Sequence, residues 1–366
     1  MANRLNDRTQ WPQWDRDQML ARIAELPMQC RDAWRLGREL RLSFDRNAIR
    51  QVVVLGMGGS AIGGALLGDL LADTCPLPII VVRGYTLPAF VEGKETLVIG
   101  CSYSGNTEET LTTFREALVR GTRAVAVTTG GKLAALAQEY DLPIARFDYR
   151  SQPRAALGYS FVSLLGIFSR LKLLPDDYQG DVEEAIQVME AWQVEIGPDV
   201  PTPQNTAKSL AERLVGRLPV VYGAGFLTAV ANRWKTQFNE NSKHWAFFES
   251  LPELHHNAVV GLRIPPALHD HVTVLMLRSA LDFSRIQARW DVTAELLQRE
   301  GVAFEVLNGR GKSKLAQMLS LIHFGDYVSY YLALLNAVDP SPVQTIAFLK
   351  KRLEEIPWSP EAASGA

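Results

Sequence analysis

Two loops in the N-terminal half of the sequence contain residues suited to holding a phosphate group, and the first is GMGGSAIGG at positions 56–64. It lies between an apolar run and a segment of helical composition. Glycines let the backbone approach an anion closely, and a helix N-terminus offers free N–H groups. A sugar phosphate and a dinucleotide both fit, because Gly56, Gly58 and Ala61 also satisfy the fingerprint G-x-G-x-x-A. If the ligand is a dinucleotide, Arg83 at the end of the next strand would suit the 2′-phosphate of NADP. A third possibility is that these glycines only allow the helix to pack closely against the strand.

The second loop, CSYSGNTEET at positions 101–110, places three hydroxyl groups around one turn before a predicted helix. They belong to Ser102, Ser104 and Thr107, and they suit the terminal oxygens of a phosphomonoester. The loop contains no Lys or Arg, so binding would depend on neutral donors and the helix dipole. Serine and threonine also favour helix caps and turns, but three hydroxyls beside a second glycine loop favour a phosphate site. We therefore predict phosphate binding by Gly58, Gly59, Ser60, Ser102, Ser104 and Thr107.

The elements that would position these loops alternate between strands and helices. Segments of helical length separate short β-branched runs at 51–56, 78–84, 96–102, 123–129 and 143–147. Strands that are buried on both faces and alternate with helices indicate a parallel sheet. The pattern begins again after residue 205, with runs at 218–225, 271–277 and 302–307. The sequence therefore predicts an α/β fold with two domains, each a parallel sheet flanked by helices in a three-layer αβα sandwich.

Charge and proline content suggest where the chain divides. A charged stretch and the segment IGPDVPTPQNT, which contains three prolines, separate the two α/β patterns. The runs VVVLGMGG and PVVYGAG each end in a Gly-x-Gly turn, which we interpret as a weak internal repeat. We predict an N-terminal helical segment at 1–46, a phosphate-binding domain at 47–180, a linker at 181–205, a second domain at 206–335, and a C-terminal helix and tail at 336–366.

Composition narrows the class of protein. At about 100–200 residues per domain, 366 residues are enough for two domains, and 47% of them are hydrophobic. A formal net charge of -2 without clustered Lys or Arg argues against nucleic-acid and anionic-membrane binding. Three cysteines without a CxxC pair argue against a disulfide framework or a zinc ribbon and fit a reducing compartment. The N-terminal segment MANRLNDRTQWPQWDRDQ has no apolar core of the kind found in a signal peptide, and no apolar run approaches the about 18 residues of a membrane span, so we expect a cytoplasmic enzyme or ligand-binding module.

Together GMGGSAIGG and SYSGNTEET resemble the sugar-isomerase (SIS) domain, a five-stranded parallel α/β fold that binds phosphosugars. The likeness continues in QPRAALGYSF (152–161), FNENSKHWAFFESLPELHHNAVVG (238–261), GDYVSYYLALLN (325–336) and DPSPVQTIAFLK (339–350). In this order the segments resemble the bifunctional phosphoglucose/phosphomannose isomerases over about residues 47–355. The resemblance implies two SIS domains, a homodimer with a shared active site, a phosphosugar substrate, and no metal or nucleotide cofactor.

The resemblance assigns proton transfer in the second domain to Glu240 and His256. Glu240, in NENSK at 239–243, matches the family's catalytic base, and a positioned base of this kind supplies about 10²–10⁴ in rate. Composition alone would make Glu240 a solvated residue at a helix end. His256 matches the acid/base that opens the sugar ring. The chain departs from the family pattern at two positions, with His255 where asparagine is usual and Ala258 where glutamate is common. The adjacent histidines could suggest a metal site, but successive residues rarely point at one ion, so we predict no metal site.

The resemblance implies two further catalytic residues. Arg154, in PRAA at 153–156, matches the arginine that faces C1 and C2 and stabilises the developing enediolate charge. Lys350, in the C-terminal helix, matches the lysine that reaches the sugar during ring opening, although Lys351 is adjacent. A solvated loop arginine and a solvated KKR helix end are the alternatives that the residues alone leave open. The family also takes its histidine from the partner subunit, so His256 would act in trans.

The activity implied by the resemblance is the metal-independent interconversion of glucose 6-phosphate and mannose 6-phosphate with fructose 6-phosphate through an enediol. The two aldoses differ only at C2, and loss of the C2 proton gives both the same enediol skeleton. Two alternatives stay open: a non-catalytic phosphosugar-binding SIS protein, and an NADP-dependent oxidoreductase that uses the first glycine loop. The oxidoreductase leaves SYSGNTEET and the NENSK and HHN segments without a role.

Overall fold

The computed structural model describes residues 4–175 and 177–357, so the last nine residues of the predicted tail, 358–366, lie outside the described part. The first half of the chain contains five strands, all parallel, in the order β2-β1-β3-β4-β5. The strands are β1 (Gln51–Leu55), β2 (Ile79–Val82), β3 (Thr96–Ser102), β4 (Arg123–Thr128) and β5 (Ile144–Arg146). Its helices are α1 (Met19–Ala24), α2 (Leu26–Glu39), α3 (Gly58–Leu71), α4 (Glu108–Val119) and α5 (Gly131–Glu139).

The first sheet is covered on both faces because its central strands consist of apolar, mostly β-branched residues. Val52 and Val54 pack in the same core cluster as α3, whereas Val53 and Leu55 pack with α4 and α5. Alternate side chains of a strand point to opposite faces, so α3 lies on one face of the sheet and α4 on the other. Since β1 and β3 are neighbours, the helices that follow them diverge. Open α/β sheets form their ligand crevice at such a topological switch point.

A second parallel sheet, in the order β7-β6-β8-β9, lies in the C-terminal half. Its strands are β6 (Leu218–Ala224), β7 (Phe247–Leu251), β8 (Val272–Arg278) and β9 (Ala303–Asn308). The remaining helices are α6 (Leu157–Arg170), α7 (Tyr178–Ile196), α8 (Thr206–Leu214), α9 (Thr228–Glu240), α10 (Pro266–His269), α11 (Ser284–Glu300), α12 (Lys314–Leu335) and α13 (Gln344–Glu354). The prediction of two parallel sheets flanked by helices is confirmed.

Strand β7 is absent from the elements that the sequence predicts. It lies at the edge of the second sheet, where Phe247 and Phe248 are 43% and 37% exposed. The segment FFESL has no β-branched residue and no alternation of apolar and polar residues. Its strand conformation therefore depends on pairing with β6, which is a tertiary interaction that a local pattern does not reveal.

Helices α7 and α12 pack together beside the sheets. α7 occupies most of the predicted linker at 181–205, and its Trp192 stacks on Phe324 of α12 with ring centroids 4.7 Å apart. α12 has the length and composition of a membrane span, but the whole of its apolar window is buried inside the protein, as in the core helix of a globular protein. The domain boundaries themselves stay a prediction.

Candidate active site

The glycine loop after β1 leads directly into α3. Met57 is the N-cap of this helix without a side-chain cap, and its carbonyl accepts the N–H groups of Ser60 and Ala61 at 3.0 and 3.3 Å. Gly58 has a left-handed φ of +49°, and a Cβ there would meet no atom within 4 Å. The N–H groups of Gly58 and Gly59 have no partner in the described part of the chain. The loop therefore offers two free donors at the positive end of a helix.

The hydroxyl loop after β3 leads into α4 in the same way. Thr107 is the N-cap of α4, and its Oγ1 lies 2.9 Å from the Oγ of Ser102. That contact uses one hydroxyl hydrogen, so the pair keeps one hydrogen for an outside acceptor. Ser104 is exposed, and its Oγ accepts the N–H of Asn106 at 3.2 Å, while its own hydrogen meets no acceptor among the described residues. All three side chains can therefore contribute to anion binding at the N-terminus of α4.

The two loops meet at the carboxyl edge of the first sheet. The backbone N–H of Tyr103 donates to the Oγ of Ser60 at 3.2 Å and joins one loop to the other. The strands that precede the loops are neighbours in the sheet, and each loop ends in a helix N-terminus. The structure thus brings the six predicted phosphate-binding residues to one edge. Two helix dipoles and several neutral donors suit an anion there without Lys or Arg in the loops.

Arg154 lies in a 3-10 turn, Pro153–Ala156, directly before α6 and against the glycine loop. A Cβ on Gly59 would lie 3.1 Å from the carbonyl of Pro153 and 3.2 Å from the Cα of Arg154, so glycine keeps this contact unstrained. The Arg154 side chain is only 2% exposed, and its Nη1 lies 3.3 Å from the Oε2 of Glu240. Burial lowers the pKa of Arg154, and the Glu240 charge opposes that shift. The guanidinium stays protonated because its ordinary pKa exceeds 12.

Glu240 is the last residue of α9, and its side chain is 26% exposed. It lines a cavity of about 760 Å³ together with Trp245, Val343 and Thr345. Cavities of this size hold small-molecule ligands in many proteins. The carboxylate therefore stands between the buried guanidinium of Arg154 and an open cavity, which is where a proton-transfer base can reach a ligand.

Lys243 and Arg154 hold the chain segment that leads into α13. The Nζ of Lys243 donates to the carbonyls of Glu240 and Pro340 at 2.5 and 3.2 Å. The Nη2 of Arg154 donates to the same Pro340 carbonyl and, at 2.9 Å, to that of Ser341. Burial lowers the pKa of Lys243 to about 8, and the Arg154 charge adds to the effect. Two cations therefore fix the C-terminal segment beside Glu240.

A buried ion pair supports the backbone of Arg154. The Nη2 of Arg233 donates to the Arg154 carbonyl at 2.8 Å and pairs with Asp326 at 3.0 Å. The Nε2 of Gln237 donates to the same carboxylate at 2.8 Å, so this buried charge is compensated. Sequence reasoning missed these residues. The signal that could have found them is the helical spacing of Arg233, Gln237 and Glu240, which forms a polar stripe along α9.

The structure does not connect His256 with Glu240 in one chain. His256 is exposed, and its imidazole forms no hydrogen bond or ion pair with any other described residue. In His255, Nδ1 lies 3.0 Å from an Nη1 of Arg289 and Nε2 lies 2.8 Å from the Oγ1 of Thr293. Arginine can only donate, so Nδ1 accepts and Nε2 carries the hydrogen. Burial and the Arg289 charge lower the pKa of His255. Arg289 and Thr293 therefore hold the His255 ring, whereas the His256 ring has no partner among the described residues.

Lys350 lies on α13, a helix in which no residue is buried. Its side chain is exposed and forms no hydrogen bond or ion pair within residues 4–175 and 177–357. The structure therefore brings together the two loops predicted to bind phosphate, Arg154 and Glu240, whereas Lys350 and His256 lie apart from them. The catalytic roles of these residues stay predictions.

Two kinds of sequence comparison agree on the relatives of this chain. A family model described as the bacterial phospho-glucose isomerase C-terminal SIS domain matches residues 203–353. The chain is 42% identical to a bifunctional phosphoglucose/phosphomannose isomerase of Caldicellulosiruptor bescii, over 92% of this chain and 99% of that protein. It is 37% identical to a protein of the same name from Aquifex aeolicus, over 86% of this chain and 93% of that protein.

Solved structures share the fold at low sequence identity. A hypothetical protein from Thermus thermophilus superimposes with a TM-score of 0.73 and 15% identity, over 97% of this chain and 94% of that chain. Tagatose-6-phosphate ketose/aldose isomerase from Escherichia coli superimposes with a TM-score of 0.64 and 17% identity, over 89% and 95% of the two chains. At these identities the likeness concerns the fold alone.

Proposed function

Because the chain belongs to the family of bifunctional phosphoglucose/phosphomannose isomerases, we propose that it interconverts glucose 6-phosphate and mannose 6-phosphate with fructose 6-phosphate. The observation that carries this proposal is a carboxylate and a buried guanidinium next to the two loops that we predict bind phosphate. Glu240 and Arg154 lie 3.3 Å apart, and Gly59 packs against the backbone of Arg154. A sugar whose phosphate occupies the crevice would extend its other end toward this pair.

The phosphate end of the sugar is the part that the two loops would hold. The free N–H groups of α3 and the hydroxyls at the start of α4 supply donors for several phosphate oxygens. Helix dipoles favour the dianion without placing a competing cation beside the reacting carbons. The residues that we assign to this task are Gly58, Gly59, Ser60, Ser102, Ser104 and Thr107.

The reacting end requires one proton to move between two carbons. In the open-chain aldose, the carboxylate of Glu240 takes the C2 proton, and the C–H electron pair enters a C1–C2 double bond. The aldehyde oxygen gains a proton, the C2 hydroxyl loses one, and Glu240 returns its proton to C1, so atoms and charge balance. Arg154 stabilises the enediolate oxygens, and a preorganised donor of this type is worth about 10²–10³ in kcat.

Acceptance of two sugars follows from the geometry of the intermediate. Glucose 6-phosphate and mannose 6-phosphate differ in configuration only at C2. Loss of the C2 proton makes that carbon planar, so both sugars reach the same enediol skeleton. A single base can serve both epimers when the carbon chain turns about the C2–C3 bond to present either hydrogen to Glu240.

The active site would be completed in a homodimer, with His256 of the partner subunit opening the sugar ring and Lys350 assisting. Exposed apolar side chains around the Glu240 cavity support this arrangement. Trp245 is 73% exposed and Phe247 43% exposed. On α13, exposed apolar residues include Ile346, Phe348, Leu349 and Leu353. Two of these residues, Trp245 and Ile346, line the Glu240 cavity, and exposed apolar side chains beside a ligand site are typical of a subunit interface.

We place this activity in the cytoplasm and assign it no metal. The three cysteines, Cys30, Cys75 and Cys101, are free, which suits a reducing compartment. Proton transfer by a carboxylate and charge stabilisation by a guanidinium include no step that requires a metal ion.

The test is an assay of the purified dimer with each sugar phosphate after dialysis against a chelator. We expect both glucose 6-phosphate and mannose 6-phosphate to yield fructose 6-phosphate. Tight fructose 6-phosphate binding without turnover would instead identify a phosphosugar-binding protein. Quenching or enhancement of NADPH fluorescence on titration would favour the oxidoreductase.

A further inference from the structure

The guanidinium of Arg154 is held on three sides, which leaves few of its hydrogens for a substrate. Its Nε donates to the Oδ1 of Asn241 at 2.6 Å, and its Nη2 donates to the carbonyls of Pro340 and Ser341. Its Nη1 makes one contact, at 3.3 Å, with Glu240. Since arginine has five N–H groups, one hydrogen has no partner within residues 4–175 and 177–357, and it lies on Nη1, the nitrogen next to Glu240. The direction of that hydrogen depends on the groups that hold the rest of the fork.

Among the groups that accept hydrogen bonds from Arg154, Asn241 is the one whose amide orientation is fixed by its other hydrogen-bond partner. It follows Glu240 at the end of α9 and is completely buried. Its Nδ2 donates to the Oγ of Ser329 at 2.9 Å, and that hydroxyl donates its own hydrogen to the Asp326 carbonyl at 2.8 Å. Ser329 can therefore only accept from Asn241, and Arg154 can only donate. The amide has one orientation that satisfies both.

We propose that Asn241 is a positioning residue for the isomerisation: its amide oxygen holds the Arg154 fork so that the free Nη1 hydrogen meets the enediolate. This inference rests on the proposed function. Asn241 does not itself touch the cavity-lining surface around Glu240. A neutral acceptor suits the role, because a carboxylate in its place would offset the positive charge that the enediolate needs.

The role predicts an effect that is confined to the charged intermediate. Ground-state binding depends on the phosphate loops, none of which contacts Asn241. Asn241→Leu leaves the Arg154 Nε unpaired, so the fork is held only through Nη1 and Nη2 and can tilt. We expect kcat to fall about 10–100-fold, the range that corresponds to one lost hydrogen bond to a charged group. We expect KM for fructose 6-phosphate to change less than about threefold, because an interaction that forms only in the transition state lowers kcat when it is lost and leaves substrate binding almost unchanged.

Two inhibitors make the measurement independent of turnover. Glucitol 6-phosphate has the phosphate but cannot form an enediolate, whereas 5-phosphoarabinonate places a carboxylate where the enediolate charge develops. Calorimetric titration of Asn241→Leu should show about tenfold or greater loss of affinity for the arabinonate. Affinity for glucitol 6-phosphate should stay within about twofold, because this inhibitor carries no charge at the enediolate position. Retained binding also shows that the variant is folded. The difference between the two inhibitors measures how much Asn241 contributes to binding of the transition state beyond the ground state.

The matched control is Asn205→Leu. Asn205 is equally buried and also makes two hydrogen bonds, accepting from the N–H of Lys208 and donating to the Gly197 carbonyl, away from Arg154. We expect it to lower stability without changing the ratio of the two affinities. Equal losses for both inhibitors in Asn241→Leu, or no loss for either, would overturn the proposal. A wild-type protein that isomerises neither sugar would overturn the proposed function and this inference together, whereas an unchanged ratio in an active enzyme would refute Asn241 alone.

Discussion

Replacing Arg154 by lysine keeps the positive charge but removes the planar fork with which this residue joins three parts of the chain. In the native protein the fork bonds Asn241, the carbonyls of Pro340 and Ser341, and the carboxylate of Glu240. A lysine ammonium is a point donor at the end of a flexible stem, so it cannot satisfy these directions together. The substitution therefore separates the effect of charge from the effect of geometry.

The size of the effect follows from the burial and the bonds of Arg154. The side chain is 2% exposed, so water does not replace the partners that are lost. Each hydrogen bond to a charged group contributes about 1.5–3 kcal/mol. Loss of two of them lowers the free energy of unfolding by about 3–6 kcal/mol, which overlaps the cost of breaking a buried ion pair. Misplacement of the enediolate donor lowers kcat by about 10²–10³.

The assays are urea unfolding and the coupled isomerase reaction, with Arg170→Lys as the control. Arg170 is an exposed arginine at the end of α6, in the segment that begins beside Arg154. We expect Arg170→Lys to match the wild type in both measurements. Glucitol 6-phosphate should still bind to Arg154→Lys, because the phosphate loops are unchanged. A kcat within about threefold of wild type in Arg154→Lys would refute the need for a fork, since charge alone would then be sufficient.

Four further substitutions test the base, the histidine of the partner subunit, the contact at Gly59 and the buried His323. Glu240→Gln should remove nearly all turnover while fructose 6-phosphate binding persists, and retention of most activity would exclude Glu240 as the base. Mixed dimers of Glu240→Gln and His256→Asn should recover part of the activity, and a well-formed inactive heterodimer would argue against a histidine from the partner subunit. Gly59→Ala should weaken catalysis more than folding, because its Cβ would lie 3.1 Å from the Pro153 carbonyl and 3.2 Å from the Cα of Arg154; an unchanged kcat would contradict this contact. Burial lowers the pKa of His323 to about 3, so the unfolded chain binds a proton below pH 6.5 that the native state does not. Between pH 7 and pH 5 the unfolding free energy should therefore fall by about 2 kcal/mol more than in His323→Gln, and equal slopes would show that this histidine is not held neutral.

The fold was accessible to sequence reasoning wherever local chemistry specifies an element. The run QVVVL followed by GMGG requires a buried strand and then a turn that only glycines form without strain, as the φ of +49° at Gly58 shows. The opposite case is β7, whose FFESL segment becomes a strand because it pairs with β6. A strand at a sheet edge without an apolar run has no local signature to detect.

The sequence by itself determined the two loops that we predict bind phosphate, because each is a continuous strand–turn–helix unit whose donors lie within ten residues of one another. Only the tertiary structure decided what surrounds Arg154, since its partners Asn241, Glu240 and Pro340 lie 87, 86 and 186 residues away along the chain. Packing of the two sheets around the shared helices brings these groups to one point. The spacing of residues in the sequence does not indicate that these groups come into contact, because the free energy that holds them together comes from burial of the apolar core between the elements.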